Sequence, residues 1–243
     1  MAQYKYVAEI PARIGSKRVK QKNLRLINGK PMIAYAIDAC KGSSKLDAVF
    51  VNTDSDLIGQ VGVDYDVEYY KRAPELCNDI ATQDEFNYDF LKNTDCEILV
   101  MVNPVSPLVE SSDIDSAIEY YEKHQLDTLI TVKNEQLHTF YDNKSLNFND
   151  KEAFKATQDL IPVKICVWTI CIWRKKTYLA AIEERGHAAF SGKVGLWAIN
   201  PIKAVKVSYE EDFLMAEQLL HARDLTAIGK NIKYYTPHSK SLS

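Results

Sequence analysis

The chain alternates short apolar runs with longer stretches in which apolar residues recur at spacings of three and four. The apolar runs predict six strands, at residues 6–10, 48–52, 97–102, 128–132, 165–173 and 204–207. The stretches between them predict amphipathic helices, around residues 33–40, 86–91, 114–121 and 213–220. This alternation is typical of an α/β fold, in which parallel strands are joined by helices on both faces of the sheet and ligands bind at the carboxyl ends of the strands.

The segment before the fifth predicted strand breaks the alternation. Residues 134–162 are polar and rich in Asn, Asp and Lys, and we interpret them as an excursion from the sheet. No internal repeat, low-complexity tract or Pro/Gly-rich linker marks a domain boundary. We therefore expect residues 1–243 to form a single domain.

Composition and charge narrow the class of protein. A chain of 243 residues with 46% hydrophobic residues can bury a large core. A formal charge of −3 argues against a nucleic-acid-binding protein, which would carry a basic surplus over one face. The first residues lack the features of a signal peptide, and the longest apolar run, residues 165–173, is too short to span a membrane. We expect a cytoplasmic protein that acts neither on nucleic acid nor at a membrane.

The strongest chemical signal follows the first predicted strand. Residues 13–22 hold five cations, where an even distribution of the 30 Lys and Arg residues would place about one. Such density creates a positive potential that an anion would neutralise, and a triphosphate offers about four negative charges on oxygens that Arg and Lys can share. A solvated basic turn is the alternative. The position of the run, at the edge where α/β folds bind ligands, favours a phosphate site.

Two further residues of this loop suit phosphate binding. Gly15 would let backbone N–H groups approach closely, and Ser16 adds a donor. The loop belongs to neither common glycine-rich type, because Gly15 is the only glycine before Gly29. The GxxxxGK[ST] and GxGxxG patterns are therefore absent, which argues against P-loop ATPases and dinucleotide-dependent dehydrogenases.

The loop resembles that of the acylneuraminate cytidylyltransferase family, the CMP-sialic acid synthetases and their relatives, in which it reads PARxGSKxxxxKNxxxxxGKP. Here residues 11–17 read Pro-Ala-Arg-Ile-Gly-Ser-Lys, residues 22–23 Lys-Asn and residues 29–31 Gly-Lys-Pro. Weaker matches follow in the family's order, at residues 52–54, 72–76, 78–82, 104–108 and 158–160. The resemblance implies a three-layer α/β/α fold like that of nucleotide-diphospho-sugar transferases, and a homodimer formed partly by the excursion around residues 134–165.

The resemblance also implies where the chemistry lies, with an acceptor oxygen attacking the α-phosphorus of CTP. Arg13 and Lys22 are the catalytic candidates and would hold the triphosphate. The other nucleotide-binding candidates come from the loop and from later segments: Ala12, Gly15, Ser16, Lys17, Asn23, Arg72, Asn78, Ala81, Thr82 and Asn103. Asn23 would contact ribose or phosphate, and Arg72 with residues 78–82 would read the cytosine. For Arg72, a surface arginine before a turn is the alternative.

Two segments depart from the family's pattern. Where relatives carry two Mg²⁺-binding aspartates, in a motif such as IDIDTEEDL, this chain has Lys206 and Ser208. A hard cation that prefers oxygen ligands would be repelled there. Residues 210–212, Glu-Glu-Asp, resemble the acidic first turn of a helix rather than metal ligands. Where relatives have Asn-Gly-Ala, residues 167–169 read Val-Trp-Thr, so we expect the acceptor pocket to differ.

Three explanations of the missing aspartates stay open. The enzyme could use another acceptor and hold the Mg²⁺ that the resemblance implies through the triphosphate and nearby groups. Lys206 could take over the charge neutralisation. The chain could also bind nucleotide without turning it over.

These observations predict a nucleotidylyltransferase that transfers CMP from CTP to an acidic sugar or another oxygen nucleophile and releases pyrophosphate. Its partners would be CTP or another NTP, a small acidic acceptor and a second copy of the chain. Two alternatives remain. One is a non-catalytic nucleotide-binding homologue, and the other is a nucleotidylyltransferase that uses UTP or another NTP with a sugar phosphate.

Overall fold

The computed structural model describes residues 3–16 and 18–225. The strands are β1 (Tyr4–Pro11), β2 (Leu26–Ile27), β3 (Lys30–Pro31), β4 (Ala48–Thr53), β5 (Glu68–Lys71), β6 (Cys96–Val102), β7 (Thr128–Glu135), β8 (Phe140–Tyr141), β9 (Lys144–Ser145), β10 (Val163–Arg174) and β11 (Val194–Ala198). The helices are α1 (Met32–Lys41), α2 (Asp56–Asp64), α3 (Gln83–Asn93), α4 (Ser111–Lys123), α5 (Lys175–Arg185) and α6 (Glu210–Leu225). Short 3-10 turns lie at Pro74–Leu76 and Thr157–Asp159.

Seven strands form a central sheet in the order β11-β7-β10-β6-β1-β4-β5. All neighbours pair in parallel except β10, which runs antiparallel to both β6 and β7. The prediction of a mostly parallel sheet is confirmed. The fifth predicted strand is the antiparallel one, because its connection to β7 contains no α-helix of the kind that usually joins parallel strands.

The excursion is the connection of this antiparallel pair. The pairing of β7 with β10 continues as far as Glu135 and Val163. The segment between these two residues connects the paired strands. Within it, β8 and β9 form a short antiparallel hairpin. The interpretation of residues 134–162 as an excursion therefore holds, except that residues 134–135 at its start belong to β7.

Helices cover both faces of the sheet. On one face, Ile37 of α1 and Ile118 of α4 are fully buried against the alternating apolar residues of β1 and β6. On the other, Phe90 of α3 and Tyr178 of α5 pack on the remaining strand residues. Phe213 of α6 closes a third cluster beside the loop that follows β1. This arrangement confirms the expected three-layer α/β/α fold.

Local capping explains where two of the helices begin. The Ser55 side chain accepts a hydrogen bond from the Ile58 N–H at the start of α2. Thr82 and Glu85 form a reciprocal capping box at the start of α3. The four helices expected from periodicity are α1, α3, α4 and α6, and all four are present.

Several expectations about elements are corrected. Residues 204–207 form no strand, since Val207 makes a single backbone hydrogen bond, from its N–H to the Val105 carbonyl at 2.8 Å. The periodicity missed α2, α5, β5 and β11. In α2 the apolar stripe is interrupted by glycines, and a Cβ at Gly59 would lie 2.6 Å from the Tyr69 ring. Close approach of the helix to β5 therefore requires glycine where the periodicity requires a large apolar residue.

Candidate functional site

The loop after β1 lies where the strand order reverses. β1 pairs with β4 on one side and with β6 on the other, and the chain visits β4 before it returns to β6. In open α/β sheets this switch point leaves a crevice outside the carboxyl ends of the strands. The loop after β1 forms one wall of that crevice, and residues 104–105 after β6 form the other.

A cleft of about 420 Å³ opens at this crevice. Its lining combines polar side chains of the loop with apolar residues of both walls: Arg13, Ser16, Arg18, Lys22, Asn23, Pro11, Val19, Pro104 and Val105. Four of the predicted site residues, Arg13, Ser16, Lys22 and Asn23, therefore share one cleft. Arg18 joins them, a member of the basic run that the motif leaves unspecified.

Backbone contacts hold the start of the loop. The Ala12 N–H donates to the Asn52 carbonyl at 2.9 Å, which extends the pairing of β1 with β4 by one residue. The Ser16 N–H donates to the Ile14 carbonyl at 2.9 Å. A Cβ at Gly15 would meet no atom within 4 Å, so this glycine leaves open space on the outer side of the loop. Lys17, also a predicted site residue, lies outside the described residues.

Arg13 connects the cleft to the segment before α3. Its guanidinium donates to the Asn78 carbonyl and to the Asp79 carboxylate, each at 3.0 Å. The side chain is 39% exposed and that of Asp79 is 48% exposed, so the ion pair is open to solvent. Exposed ion pairs of this kind contribute little to stability, and an incoming anion can compete for the arginine.

Lys22 is the most perturbed group of the cleft. Its Nζ donates to the Val207 carbonyl at 3.1 Å. Burial, together with the neighbouring cations Arg18, Lys206 and Arg13, lowers the pKa of Lys22 to about 8, and Asp212 opposes this shift. An anion bound in the cleft would raise the pKa of Lys22 and so stabilise its charged form.

Asn23 anchors the loop. It is 4% exposed, its amide Nδ2 donates to the Arg13 carbonyl at 3.4 Å, and its own carbonyl accepts from the Ile33 N–H at 3.0 Å. Its Oδ1 is buried and has no partner among the residues that the structure describes. The side chain thus retains an acceptor that faces no protein donor.

Arg72 is buried rather than on the surface, so the alternative of a surface arginine is wrong. It is 3% exposed and donates from Nε to the Asn52 side chain at 2.8 Å and from Nη2 to the Asn52 carbonyl at 3.0 Å. The guanidinium also lies 4.2 Å from the centre of the Phe86 ring. Asn52 in turn donates to the fully buried carboxyl of Glu9 at 2.6 Å. Arg72 therefore ends a polar chain that crosses β4 to β1.

Glu9 is a residue that the sequence analysis missed. Burial raises its pKa to about 7, against the opposing effects of Arg72 and of the hydrogen bond from Asn52. Its Oε2 has no partner within the described part of the chain. The sequence feature that could have identified it is an acidic residue within the otherwise apolar run of residues 7–10.

The remaining predicted base-reading residues make local contacts. The Asn78 Oδ1 accepts from the N–H groups of Ile80 and Ala81, each at 2.8 Å, which forms a tight turn. Thr82 caps α3. Asn103, at the end of β6, accepts from the Val105 N–H at 3.3 Å through Oδ1. Its N–H bonds the Thr169 carbonyl at 2.9 Å.

The positions of the family's aspartates lie beside the cleft but do not suit Mg²⁺. Lys206 is exposed, and Ser208 offers a neutral hydroxyl. The Asp212 carboxylate accepts from the N–H groups of Ser208 and Tyr209, each at 2.8 Å. Within residues 3–16 and 18–225, no three His, Cys, Asp or Glu side chains cluster as ligands. Within the described residues, this place therefore lacks the cluster of carboxylate oxygens that a hard cation prefers.

The segment that the resemblance assigns to the acceptor side has an unusual backbone at Trp168. Trp168 has a φ of +57° and sits at an irregularity of the β10 ladder between Cys166 and Cys171. This is the left-handed region that suits glycine, the residue which the family carries there. The indole packs edge-on against Phe190, with ring centres 5.5 Å apart. A bulky aromatic side chain therefore projects from a backbone conformation that favours glycine.

Sequence comparison supplies relatives. A family model described as cytidylyltransferase matches residues 7–164. N-acylneuraminate cytidylyltransferase of Streptococcus agalactiae serotype V is 32% identical over 219 residues, which are 86% of this chain and 52% of that protein. Post-translational flagellin modification protein B of Campylobacter coli is 28% identical over 236 residues, 90% of this chain and 96% of that protein. The chain thus spans about half the length of the streptococcal relative.

Structural comparison agrees on the fold. The structure of CMP:2-keto-3-deoxy-manno-octonic acid synthetase complexed with CTP matches with a TM-score of 0.68 at 16% identity, covering 90% of this chain and 99% of that one. 4-Diphosphocytidyl-2C-methyl-D-erythritol synthase from Anaerococcus prevotii matches with a TM-score of 0.65 at 16% identity, covering 89% and 96%. None of the helices described here is long and apolar enough to cross a membrane.

Proposed function

Because this chain belongs to the cytidylyltransferase family, we propose that it transfers CMP from CTP to an oxygen nucleophile of a small acidic sugar. The acceptor oxygen attacks the α-phosphorus, and the bond from that phosphorus to the oxygen bridging it to the β-phosphate breaks. Pyrophosphate leaves, and the proton of the acceptor hydroxyl passes to solvent. The N-acylneuraminate and octonic acid enzymes among the matches support an acidic sugar as acceptor. A reaction that consumes CTP also favours the cytoplasmic location expected from the sequence.

The excess of cations in the cleft carries this proposal. Arg18 and Lys22 make no ion pair with any residue described, and the ion pair of Arg13 with Asp79 is open to solvent. To catalyse transfer at phosphorus, a protein mainly has to position the reactants and neutralise the charge of the phosphates, and such cations do both. We assign Arg13 and Lys22 to the triphosphate, where they would stabilise the negative charge that develops on the leaving pyrophosphate.

The other candidates receive supporting roles in the same proposal. Ser16, Lys17 and the backbone at Ala12 and Gly15 would complete the phosphate site, and Asn23, which lines the same cleft, would contact the ribose or a phosphate. The base would lie outside the cleft that the phosphates occupy, near Arg72, Asn78, Ala81, Thr82 and Asn103, which do not line that cleft. We propose that Mg²⁺ enters bound to the triphosphate oxygens, since the described residues offer it no carboxylate cluster.

A pyrophosphate-release assay tests the function. The protein is incubated with CTP, UTP, ATP or GTP and with acidic sugars, including nonulosonates and octulosonates, and Lys22→Met is the matched control. We expect release with CTP and one acidic sugar, and none with the variant. Release with UTP and a sugar phosphate would identify the alternative transferase. Nucleotide binding without release from any pair would identify a non-catalytic homologue.

We further propose that two copies associate through the excursion. It exposes large apolar side chains: Phe154 is 84% exposed, Ile161 78% and Tyr141 76%. Association would bury these side chains, and buried apolar surface stabilises an interface. Sedimentation should show a dimer of the wild type, and the double change Phe154→Ser with Ile161→Ser should yield monomers. A monomeric wild type would contradict the dimer and leave the proposed reaction untouched.

A further inference from the structure

The segment that precedes α6, residues 206–209, is fixed between the two walls of the cleft. The Val207 carbonyl accepts from Lys22 Nζ at 3.1 Å, and the Val207 N–H donates to the Val105 carbonyl at 2.8 Å. Val207 is fully buried. The Asp212 carboxylate holds the next two N–H groups, each at 2.8 Å. These contacts set the backbone at Lys206 directly beside the basic loop.

Lys206 is a third cation without an ion-pair partner among the described residues, beside Arg18 and Lys22. Its side chain is exposed and makes no hydrogen bond or ion pair with the residues that the structure describes. It lies close enough to Lys22 to help lower the pKa of that lysine, as does Arg18. Arg18 in turn packs over the Tyr209 ring, with its guanidinium 5.0 Å from the ring centre. Two chain segments therefore bring three cations together.

The carboxylate at this place does not neutralise the cluster. Asp212 raises the pKa of Lys22, but it is already engaged by two backbone N–H groups at the start of α6. Where an aspartate at position 208 would add a second carboxylate near Lys206, this chain has a serine. Three cations that share a single carboxylate keep an excess of positive charge, and an anionic ligand would relieve the resulting potential.

We propose that Lys206 binds the phosphates of the nucleotide and supplies there the positive charge that a protein-held metal ion would otherwise supply. A lysine ammonium is a point charge on a flexible stem and is well suited to phosphate oxygens. This proposal explains both why the site does not suit Mg²⁺ and why Lys206 is present, because the lysine itself provides the positive charge. The inference rests on the nucleotide site proposed above.

Nucleotide binding without divalent metal tests the inference. CTP is titrated calorimetrically in the presence of EDTA into the wild type, Lys206→Met, Lys206→Arg and Lys123→Met. The last variant makes the same change at an exposed lysine, Lys123, which is the last residue of α4 and lies away from the basic loop. Cytidine, measured by ligand-observed NMR, is the phosphate-free reference. We expect Lys206→Met to weaken CTP binding by about tenfold or more and to leave cytidine binding unchanged. Lys206→Arg should retain most of the affinity, and Lys123→Met all of it.

The outcomes separate the two proposals. A wild type that does not bind CTP overturns the nucleotide site and the inference with it. CTP binding that is equal in the wild type and Lys206→Met overturns the role of Lys206 alone. An equal loss for CTP and cytidine in Lys206→Met also overturns it, because the residue would then act on the shape of the cleft. Circular dichroism of each variant verifies that it is folded.

Discussion

The depressed pKa of Lys22 makes CTP binding dependent on pH in a defined direction. Only the protonated amine attracts phosphate. In the free protein burial and the cations Arg18, Lys206 and Arg13 hold this pKa at about 8, with Asp212 opposing. Below pH 8 the amine is charged before CTP arrives, so affinity should be constant there. Above pH 8 the protein must take up a proton to bind, and affinity should fall until the pKa of the complex is reached.

The magnitude follows from the two pKa values. If bound triphosphate returns Lys22 to an ordinary lysine pKa of about 10.4, affinity falls by up to tenfold per pH unit above 8, at about 1.36 kcal/mol per unit. Lys22 is only half-buried, so solvent screening reduces this limit. We expect about a tenfold loss between pH 7.5 and pH 9.5, a range in which the phosphates themselves are already ionised, since their last pKa is near 6.

Calorimetric titration of CTP across this range provides the measurement, and repeating it in buffers of different ionisation enthalpy counts the protons taken up. Lys22→Met is the control that lacks the titrating amine. It should bind CTP more weakly at pH 7.5 and show no decline above pH 8. An identical decline in the wild type and Lys22→Met would assign the titration to another group and refute the reasoning.

Four other changes test the site. Arg13→Ala should weaken CTP binding by about tenfold or more and CMP binding much less, because a charge-assisted contact contributes about 1.5–3 kcal/mol; equal losses would place Arg13 away from the outer phosphates. The double change Lys206→Asp with Ser208→Asp should raise Mg²⁺ affinity in the CTP complex by about tenfold or more, as measured by metal titration. Unchanged metal dependence would show that the segment does not face the phosphates. Trp168→Gly should widen the acceptor range towards N-acylneuraminate in the pyrophosphate assay, with the melting temperature little changed because relief of the left-handed backbone offsets lost packing. Thr82→Ala should reduce the free energy of unfolding in urea by about 1 kcal/mol, since it removes a helix cap.

Local sequence determined most of the elements and the main wall of the cleft. Five of the six predicted strands and all four predicted helices are present, because apolar periodicity reports which face of an element is buried. The basic loop after β1 could be recognised from charge density alone. That this loop would line a ligand site could be predicted from the rule that ligands bind at the carboxyl ends of parallel strands.

The edge strands and the direction of β10 lay beyond local sequence. β5 and β11 each pair on one side, so their residues are half-exposed and show no buried pattern. The sequence of β10 has the apolar pattern of any buried strand, and its antiparallel direction goes with a connection from β7 that contains no α-helix.

Tertiary structure alone decided which distant residues meet at the site. Lys22 and the Val207 carbonyl are 185 positions apart, and only the packing of α6 beside the loop brings them within 3.1 Å. The sequence named Lys206 as a departure from a metal site, but its nearness to Lys22 comes from that packing. The burial of Glu9, Asn52 and Arg72 in one polar chain likewise needs the pairing of β1 with β4. Apolar periodicity shows which face of a helix or strand is buried. Which distant residues come into contact depends on the register in which the segments pack.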